Sequence, residues 1–215
     1  MRVRLVIPLG LAAALWATGC GHVTKVRPTP SGQVAVEGAF GGPFGQVEGY
    51  VLPLPLATVG ASYGIAERFD VEAHAHLTSL VFGVAGLDVG GSWLALAQQG
   101  AIPAVSLNGR LYGFTDLRAA RAYLEVSPSV SYLLGEHFLT YVSATGWVQF
   151  AGGPPLFTVA AGEEFQLGKW GLQLEARWYA PDYGTENLPT RWANINGLGG
   201  FGVLLGVRYR FGGEP

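Results

Sequence analysis

The sequence is short of lysine, of cysteine and of charge in general. Of its 215 residues 13% are charged, whereas an average soluble domain has roughly 25%. Lysine occurs only at Lys25 and Lys169, and Cys20 is the single cysteine. One cysteine excludes an internal disulfide framework, and so few lysines are unlike the mixed charged surface of soluble proteins. Nothing in the chain is basic enough to indicate a nucleic-acid partner.

Long apolar runs are also missing after residue 19, where no stretch of about 20 apolar residues could cross a membrane as a helix. Glycine is abundant instead, with 33 residues, and 49% of the chain is hydrophobic. From residue 33 onward apolar and polar residues alternate with a period of two, which predicts β-strands. We predict ten of them, at 33–41, 56–65, 69–79, 82–96, 103–114, 121–134, 138–151, 156–167, 170–180 and 199–211.

Each predicted strand has one apolar and one polar face, as the last of them shows. In FGVLLGVRYRFG, residues 201–212, every second residue is apolar, whereas Arg208 and Arg210 lie on the other face. The strand at 69–79 likewise alternates apolar residues with acidic residues and histidines. Apart from Asp70 at a strand end, the polar faces carry four acids and four arginines: Glu72, Asp88, Glu125, Glu175, Arg110, Arg177, Arg208 and Arg210.

The balance between these charges indicates that the polar faces point into a narrow barrel. Charged side chains persist in a buried place only when they are paired and hydrogen-bonded. Arginine suits such a place better than lysine, because its planar guanidinium can hold a carboxylate with two hydrogen bonds. We therefore predict an interior network of arginines and carboxylates, with the apolar faces outward. Glu163 would then face lipid, so we expect a β-bulge near Gly162 to turn it inward, the alternative being contact with a partner protein.

The first 20 residues form a targeting segment. Two arginines precede the apolar run LVIPLGLAAALWA at 5–17, which has the length of a signal-peptide core. The sequence ATGC follows at 17–20, and small residues before a cysteine resemble the lipobox of bacterial lipoproteins. The resemblance implies cleavage before Cys20 and acylation of that residue, palmitate included. The alternative is an ordinary signal peptide in which the cysteine lies there by chance.

The pattern of strands and turns resembles a known class of protein. The turn Gly-x-Ala-Glu-Arg-Phe-Asp at 64–70 and a last strand that ends in Tyr209-Arg210-Phe211 are similar to small outer-membrane β-barrel proteins of Gram-negative bacteria. Tight turns that alternate with longer loops are also typical of such barrels. The resemblance implies insertion by the barrel-assembly machinery, which reads the last strand and its aromatic residue.

We therefore predict an all-β fold, a transmembrane antiparallel up-and-down β-barrel of about ten strands. If the first pair does not form, the barrel has eight strands and residues 21–55 are a plug or an arm. The barrel would lie in the bacterial outer membrane, lipid-anchored at its N-terminus on the periplasmic side. The predicted divisions are a signal peptide at 1–19, a lipidated polar tether at 20–32, the barrel at 33–211 and a tail at 212–215.

The predicted function is structural or anchoring rather than enzymatic, in a barrel whose lumen is filled by side chains. Expected partners are outer-membrane lipid and an envelope protein docked at loops 42–55 and 181–198, without nucleic acid or cofactor. Three alternatives stay open: a narrow channel or small-solute transporter, a soluble periplasmic barrel, and a lipid hydrolase. The hydrolase would need a lumen histidine, an acid and a nucleophile from among Ser127, Ser129 and Ser131.

Two histidines and a glycine-rich stretch are the remaining candidates for chemistry. His74 and His76 lie two residues apart and therefore share a strand face with Glu72. They either bind a metal ion with a third ligand or, as we predict, hydrogen-bond to lumen acids without metal. Residues 197–202 match the pattern G-x-G-x-x-G, but a strand rather than a helix follows them, so no nucleotide site is predicted.

Overall fold

The computed structural model describes residues 21–47, 50–150, 152, 154–184 and 191–212, so that the predicted signal peptide and Cys20 lie outside the described residues. The described chain consists of β-strands and one short helix, α1, at Leu77–Val81. The strands are β1 (Val34–Val47), β2 (Tyr50–Pro53), β3 (Leu56–Ala66), β4 (Phe69–His76), β5 (Ala85–Leu96), β6 (Ala104–Thr115), β7 (Ala120–Leu134), β8 (Phe138–Gln149), β9 (Leu156–Leu167), β10 (Trp170–Gly184), β11 (Arg191–Trp192) and β12 (Leu198–Phe211).

Ten of these strands form a closed barrel, because β1 pairs with a neighbour on each of its edges. Glu37 in β1 lies opposite Gly60 of β3 and also opposite Arg208 of β12. From β3 to β10 each strand pairs antiparallel with the next, and β10 pairs with β12. The short strands β2 and β11 pair only with the last residues of β1. The predicted antiparallel barrel of ten strands is confirmed, with its first strand pair formed.

The two ends of the barrel differ in their connections, and we name them accordingly. The turn end carries the connections at 67–68, 97–103, 135–137 and 168–169, together with the start of β1 and the end of β12. The loop end carries α1 and the other connections. The predicted strand at 69–79 stops at His76, where α1 begins, so a helical loop replaces the short turn expected at 80–81.

Alternation along the strands separates an apolar outer face from a polar inner face. In β4 the exposed Phe69 is followed by Asp70, which is fully buried. Large apolar side chains cover the outside of the barrel, among them Leu87, 64% exposed, and Leu205, 56% exposed. A continuous apolar surface of this kind is typical of barrels that lipid surrounds. No helix in the described ranges is both long and apolar enough to span a membrane.

Residues 21–30, which we call the lumen segment, lie inside the barrel. The sequence predicts a polar tether here, since two prolines and the polar composition give neither a strand nor a helix pattern. The structure shows instead that these residues are enclosed by the polar inner face, which supplies hydrogen-bond partners that water would otherwise provide. The members that are 6% exposed or less are His22, Thr24, Lys25, Val26 and Thr29.

The lumen segment crosses the barrel from one end to the other. At the turn end, Ser31 bridges to Gly64, near the end of β3. At the loop end, the carbonyl oxygen of Gly21 accepts a hydrogen bond from Thr58 Oγ1, and Gly21 lies against Leu56, the first residue of β3. The barrel wall begins and ends at the turn end, as an even number of strands requires, but Gly21 lies at the opposite end.

The β-bulge predicted near Gly162 is absent from β9. The register between β9 and β10 is continuous, with Gly162 opposite Glu175 and Glu163 opposite Leu174. Glu163 therefore keeps the outward orientation that strict alternation gives it, and its Oε1 accepts a 3.1 Å hydrogen bond from Thr140. The outward carboxylate is therefore stabilised by a hydrogen bond close to the turn end of the barrel, and not by a bulge that turns it inward.

Candidate functional site

The ammonium group of Lys25 lies in the lumen within a cradle of oxygen atoms. Lys25 Nζ donates a hydrogen bond to Glu37 Oε1 and another, of 2.9 Å, to Ser62 Oγ. Asp70 Oδ2 lies 3.3 Å and Glu72 Oε2 lies 3.8 Å from the same nitrogen. Three carboxylates thus surround one buried cation, and their mutual repulsion in a water-poor place makes that cation necessary.

Thr29 completes the cradle from the lumen segment itself. Its Oγ1 accepts a 3.3 Å hydrogen bond from Lys25 Nζ and lies 2.7 Å from Ser62 Oγ. Its backbone N–H donates to Asp70 Oδ2 over 2.7 Å. Thr29 is four residues from Lys25, so one stretch of the lumen segment presents both the cation and a hydroxyl group to the same part of the wall.

The wall also binds the backbone of the lumen segment. Asn108 Nδ2 donates a 2.7 Å hydrogen bond to the carbonyl oxygen of Lys25, and Gln173 Nε2 donates one of 2.8 Å to that of Thr24. Arg177 Nη2 donates to the carbonyl oxygen of His22 over 3.1 Å. Backbone groups buried without partners cost free energy, so these side chains are what allow an extended segment to remain in the lumen.

Glu175 organises the side of the lumen that faces Thr24. Its Oε2 accepts 2.9 Å hydrogen bonds from the backbone N–H of Thr24 and from the hydroxyl of Tyr141. Its Oε1 accepts from Arg177, an ion pair between residues two apart on β10. Thr24 Oγ1 in turn lies 3.1 Å from Ser143 Oγ on β8. The lumen segment is therefore joined to β8 and β10 as well as to the strands that hold Lys25.

Two valines of the lumen segment fill apolar gaps between the polar contacts. Val26 is 2% exposed and packs against Leu139 and Tyr141. Val23 packs against a cluster that includes Trp192, which is 4% exposed. Trp192 thus points into the lumen. The apolar contacts add shape complementarity to the hydrogen bonds of the segment.

The predicted lumen residues around the two histidines come together on β4, β5 and β6. Arg110 Nη2 lies 2.7 Å from Glu72 Oε1, and Arg110 Nη1 lies 3.4 Å from Asp88 Oδ1. Asp88 also forms hydrogen bonds with His74 Nδ1, over 3.1 Å, and with His76 Nε2, over 2.9 Å. One carboxylate therefore forms hydrogen bonds with both histidines.

Glu125 is the predicted acid that faces His22 of the lumen segment. Its Oε2 accepts a 2.6 Å hydrogen bond from the hydroxyl of Tyr112, and its Oε1 lies 3.6 Å from His22 Nε2 of the lumen segment. His22 Nδ1 lies 3.3 Å from the same tyrosine hydroxyl. The sequence does not identify His22 as a site residue, because the ten-strand prediction treats residues 21–32 as a tether outside the barrel.

The two arginines of the last strand have different positions. Arg208 faces the lumen and forms an ion pair with Glu164, which is 4% exposed. Arg210 lies at the turn end, where its Nη2 donates a 2.7 Å hydrogen bond to the carbonyl oxygen of Gly168. The structure therefore brings Arg208 into the lumen network and leaves Arg210 at its rim.

Three carboxylates of the lumen were not in the predicted network. The predicted network excludes Asp70 as a strand-end residue and includes no residue of the first predicted strand, which holds Glu37. Glu164 is also outside the predicted network, although alternation places it on the inner face beside outward Glu163. A strict application of the two-residue period to β1 and β9 would have identified Glu37 and Glu164.

The described wall carries more acid than base. Seven carboxylates face the lumen, whereas the inner face of the wall carries four arginines: Arg110, Arg177 and Arg208 among the carboxylates, and Arg121 toward the loop end. Lys25 and Arg27 of the lumen segment add two positive charges to that interior. The carboxylates are Glu37, Asp70, Glu72, Asp88, Glu125, Glu164 and Glu175.

The residues for the two kinds of chemistry that the sequence leaves open have other partners in the lumen. Ligand atoms of Glu37, Glu72 and His74 lie within 4.8 Å of one another, a spacing that suits a metal ion, but Lys25 Nζ already lies beside both carboxylates. As for a serine nucleophile, Ser127 Oγ lies 2.8 Å from Thr145 Oγ1, and Ser131 Oγ accepts a hydrogen bond from Arg27. These partners are a hydroxyl and a guanidinium, not the general base that a hydrolase requires.

Comparisons with known proteins bring out structural likeness only. No family model and no curated protein matches the chain. The chain is similar to the NanC porin at 12% identity and a TM-score of 0.47, over 82% of this chain and 98% of that one. It is similar to the translocator domain of the autotransporter NalP from Neisseria meningitidis at 10% identity and a TM-score of 0.43, over 83% and 88%. It is similar to the outer membrane protein OprG from Pseudomonas aeruginosa at 8% identity and a TM-score of 0.30, over 88% of this chain and 100% of that one.

Proposed function

We propose that this chain is an outer-membrane β-barrel lipoprotein with a closed lumen and a structural or anchoring role. The observation that supports this most directly is the lumen segment, which fills a barrel whose outer face is apolar. A solute that crossed the barrel would have to displace Lys25 from three carboxylates and break the backbone hydrogen bonds of the segment. Such a lumen suits attachment and docking better than transport.

The outer face supports a location in the membrane. Near the turn end, the rings of Trp170 and Tyr209 lie 4.7 Å apart, and those of Phe138 and Phe165 lie 4.3 Å apart. Aromatic side chains at one level of a barrel are typical of the girdle at a membrane interface. Above this level the exposed side chains of the long strands are apolar, apart from Glu163 on β9 and Asp182 on β10.

The space left in the lumen supports the absence of a general pore. The cavity between Lys25, Arg208 and Gln173 has a volume of about 30 Å³. A cavity of this size holds little more than a water molecule. An anchoring protein in a bilayer has no need of a wider passage, whereas a channel or transporter does.

Single-channel recording in planar bilayers tests the closed lumen. The protein that retains residues 21–30 should give no sustained unitary currents, whereas a variant that begins at Ser31 should conduct. Sustained currents from the protein with its lumen segment would refute the proposal and favour the narrow channel. Heat-modifiable migration on gels provides the control that both proteins are folded barrels.

We also propose that Cys20 carries the lipid. Because Gly21 lies at the loop end, an acyl group on the preceding residue would lie at that end too, not at the periplasmic side that the sequence predicts. Long loops of outer-membrane barrels face the cell exterior.

Labelling of the protein by a palmitate analogue, lost in Cys20→Ser, tests the acylation. An epitope inserted after Cys20 should react with antibody on intact cells, and one placed after Pro215 should not.

A further inference from the structure

We propose that the lumen wall is a binding site for a primary ammonium group and that Lys25 is its resident ligand. The inference rests on the proposed function, since it takes the barrel to be closed by its own lumen segment. It goes further in assigning the chemical class of ligand that the wall recognises: an amine on an unbranched alkyl chain, presented inside the barrel.

The first argument is charge. Seven wall carboxylates against four arginines on the inner face, Arg121 included, leave three negative charges that the wall arginines do not compensate. Buried carboxylates are stable only beside cations, so the wall requires a positively charged occupant. Glu37, Asp70 and Glu72 gather around one point, and the occupant of that point is Lys25 Nζ.

The second argument is hydrogen-bond geometry. An ammonium group has three N–H donors and no acceptor. The cradle offers it acceptors from two strands of the wall, namely Glu37 Oε1 from β1 and Ser62 Oγ from β3. Ser62 Oγ also donates a 2.7 Å hydrogen bond to Glu37 Oε1, which fixes both acceptors in place. The wall is thus arranged for a compact donor rather than for a planar guanidinium.

A third observation indicates that the cradle has acceptor capacity to spare. Asp70 is fully buried, and within the described part of the chain its Oδ1 has no hydrogen-bond partner. A buried acceptor left unpaired is costly, and a cation nearby lowers that cost. Asp70 Oδ2 meanwhile accepts from the backbone N–H of Thr29 and lies 3.3 Å from Lys25 Nζ.

The competing ligand is a metal ion, for which Glu37, Glu72 and His74 have suitable spacing. An ion at that point would lie within a few ångströms of the Lys25 ammonium, and two cations so close repel each other strongly. A metal ion at this point therefore requires that the Lys25 side chain leave the cradle, whereas an ammonium ligand uses the contacts that are already present. The two hypotheses predict that a protein without the lysine side chain binds different ligands.

Chemical rescue of Lys25→Ala tests the proposal. The substitution removes three methylene groups and the ammonium, a fragment that matches n-propylammonium. Addition of methyl-, ethyl- and n-propylammonium should raise the temperature at which the folded band disappears on gels, with affinity rising about fourfold per methylene up to propyl. Lys169→Ala, at an exposed turn, is the matched control and should show no such dependence.

Tetramethylammonium, zinc and magnesium separate the possible outcomes. Tetramethylammonium has the same charge but no N–H donor, so it should not rescue the variant. Equal rescue by tetramethylammonium, stronger rescue by zinc or magnesium, or no rescue of a folded Lys25→Ala barrel would overturn the proposal.

If Lys25→Ala does not fold alone, folding that depends on n-propylammonium in the refolding buffer supports the proposal, and failure to fold with the amine refutes it. Currents through the unaltered protein would instead refute the closed lumen.

Discussion

At the scale of single residues, two carboxylates that are neighbours in the chain have opposite surroundings. Glu163 and Glu164 follow each other on β9, yet one faces outward and the other is buried against Arg208. Removal of one partner from a buried ion pair leaves an uncompensated charge and typically costs about 3–5 kcal/mol. An outward carboxylate contributes far less to the free energy of unfolding.

We therefore expect Glu164→Ala to lower the free energy of unfolding by about 3 kcal/mol, because Arg208 is left in the lumen without its partner. The measurement is urea unfolding in lipid vesicles, followed by tryptophan fluorescence. Glu163→Ala is the matched control and should change the free energy by no more than about 0.5 kcal/mol. A larger loss for Glu163→Ala than for Glu164→Ala would show that the orientation of β9 is the reverse of the one described.

At the scale of elements, close approach between the lumen segment and the wall depends on glycine. A Cβ on Gly64 of β3 would lie 2.0 Å from the carbonyl oxygen of Pro30, and one on Gly206 of β12 would lie 2.7 Å from Val23. The contact at Gly64 is with backbone, which cannot rotate away as a flexible side chain can. Gly113, on the outer face of β6, has no such neighbour within 4 Å.

Gly64→Ala should therefore displace the turn-end part of the lumen segment and lower stability by about 2 kcal/mol. Limited proteolysis with mass spectrometry provides the readout, since cleavage between residues 21 and 32 should become faster while the barrel stays resistant. Gly113→Ala should change neither the free energy of unfolding nor the rate of cleavage between residues 21 and 32. Equal protection of the segment in Gly64→Ala and in the unaltered protein would contradict the described contact.

The elements of the wall could be predicted from the sequence, whereas the lumen segment could not. Alternation specifies which residues share a face, so the ten strands and the inward direction of Glu72 or Arg177 follow from a local pattern. Residues 21–30 have no period, and their burial depends on contacts with residues more than 100 positions away, such as that between Thr24 and Glu175. At Glu163 the local pattern alone gives the correct answer. Strict alternation predicts its outward orientation, and the prediction of a β-bulge near Gly162 was wrong.

At the scale of the whole molecule, the wall and the lumen segment have complementary charge. A barrel that begins at Ser31 keeps the seven wall carboxylates and loses Lys25 and Arg27. We expect its conductance to be selective for cations, because negative charge inside a narrow passage favours cation entry. The reversal potential in a potassium chloride gradient measures this selectivity. Anion selectivity, or none, would contradict the charge count of the lumen.

Selectivity should also depend on the cradle residues. In the shortened barrel, Glu37→Gln with Glu72→Gln should move the reversal potential toward zero, because two of the carboxylates around the Lys25 position are neutralised. Glu67→Gln, in the exposed turn between β3 and β4, is the control and should leave the reversal potential almost unchanged. Equal shifts from the two changes would assign the selectivity to the rim and not to the interior.

The central claim is that residues 21–30 occupy the lumen, and a disulfide between the segment and the wall tests it most directly. Thr24 Oγ1 and Ser143 Oγ lie 3.1 Å apart, so cysteines at these positions can bond without large movement. In a Cys20→Ser background, Thr24→Cys with Ser143→Cys should oxidise almost completely in the folded barrel, as seen in linked peptides by mass spectrometry. Thr24→Cys with Thr140→Cys, whose second site faces outward beside Glu163, should not. Absence of the first disulfide, or equal yield of the second, would contradict a lumen filled by its own N-terminal segment.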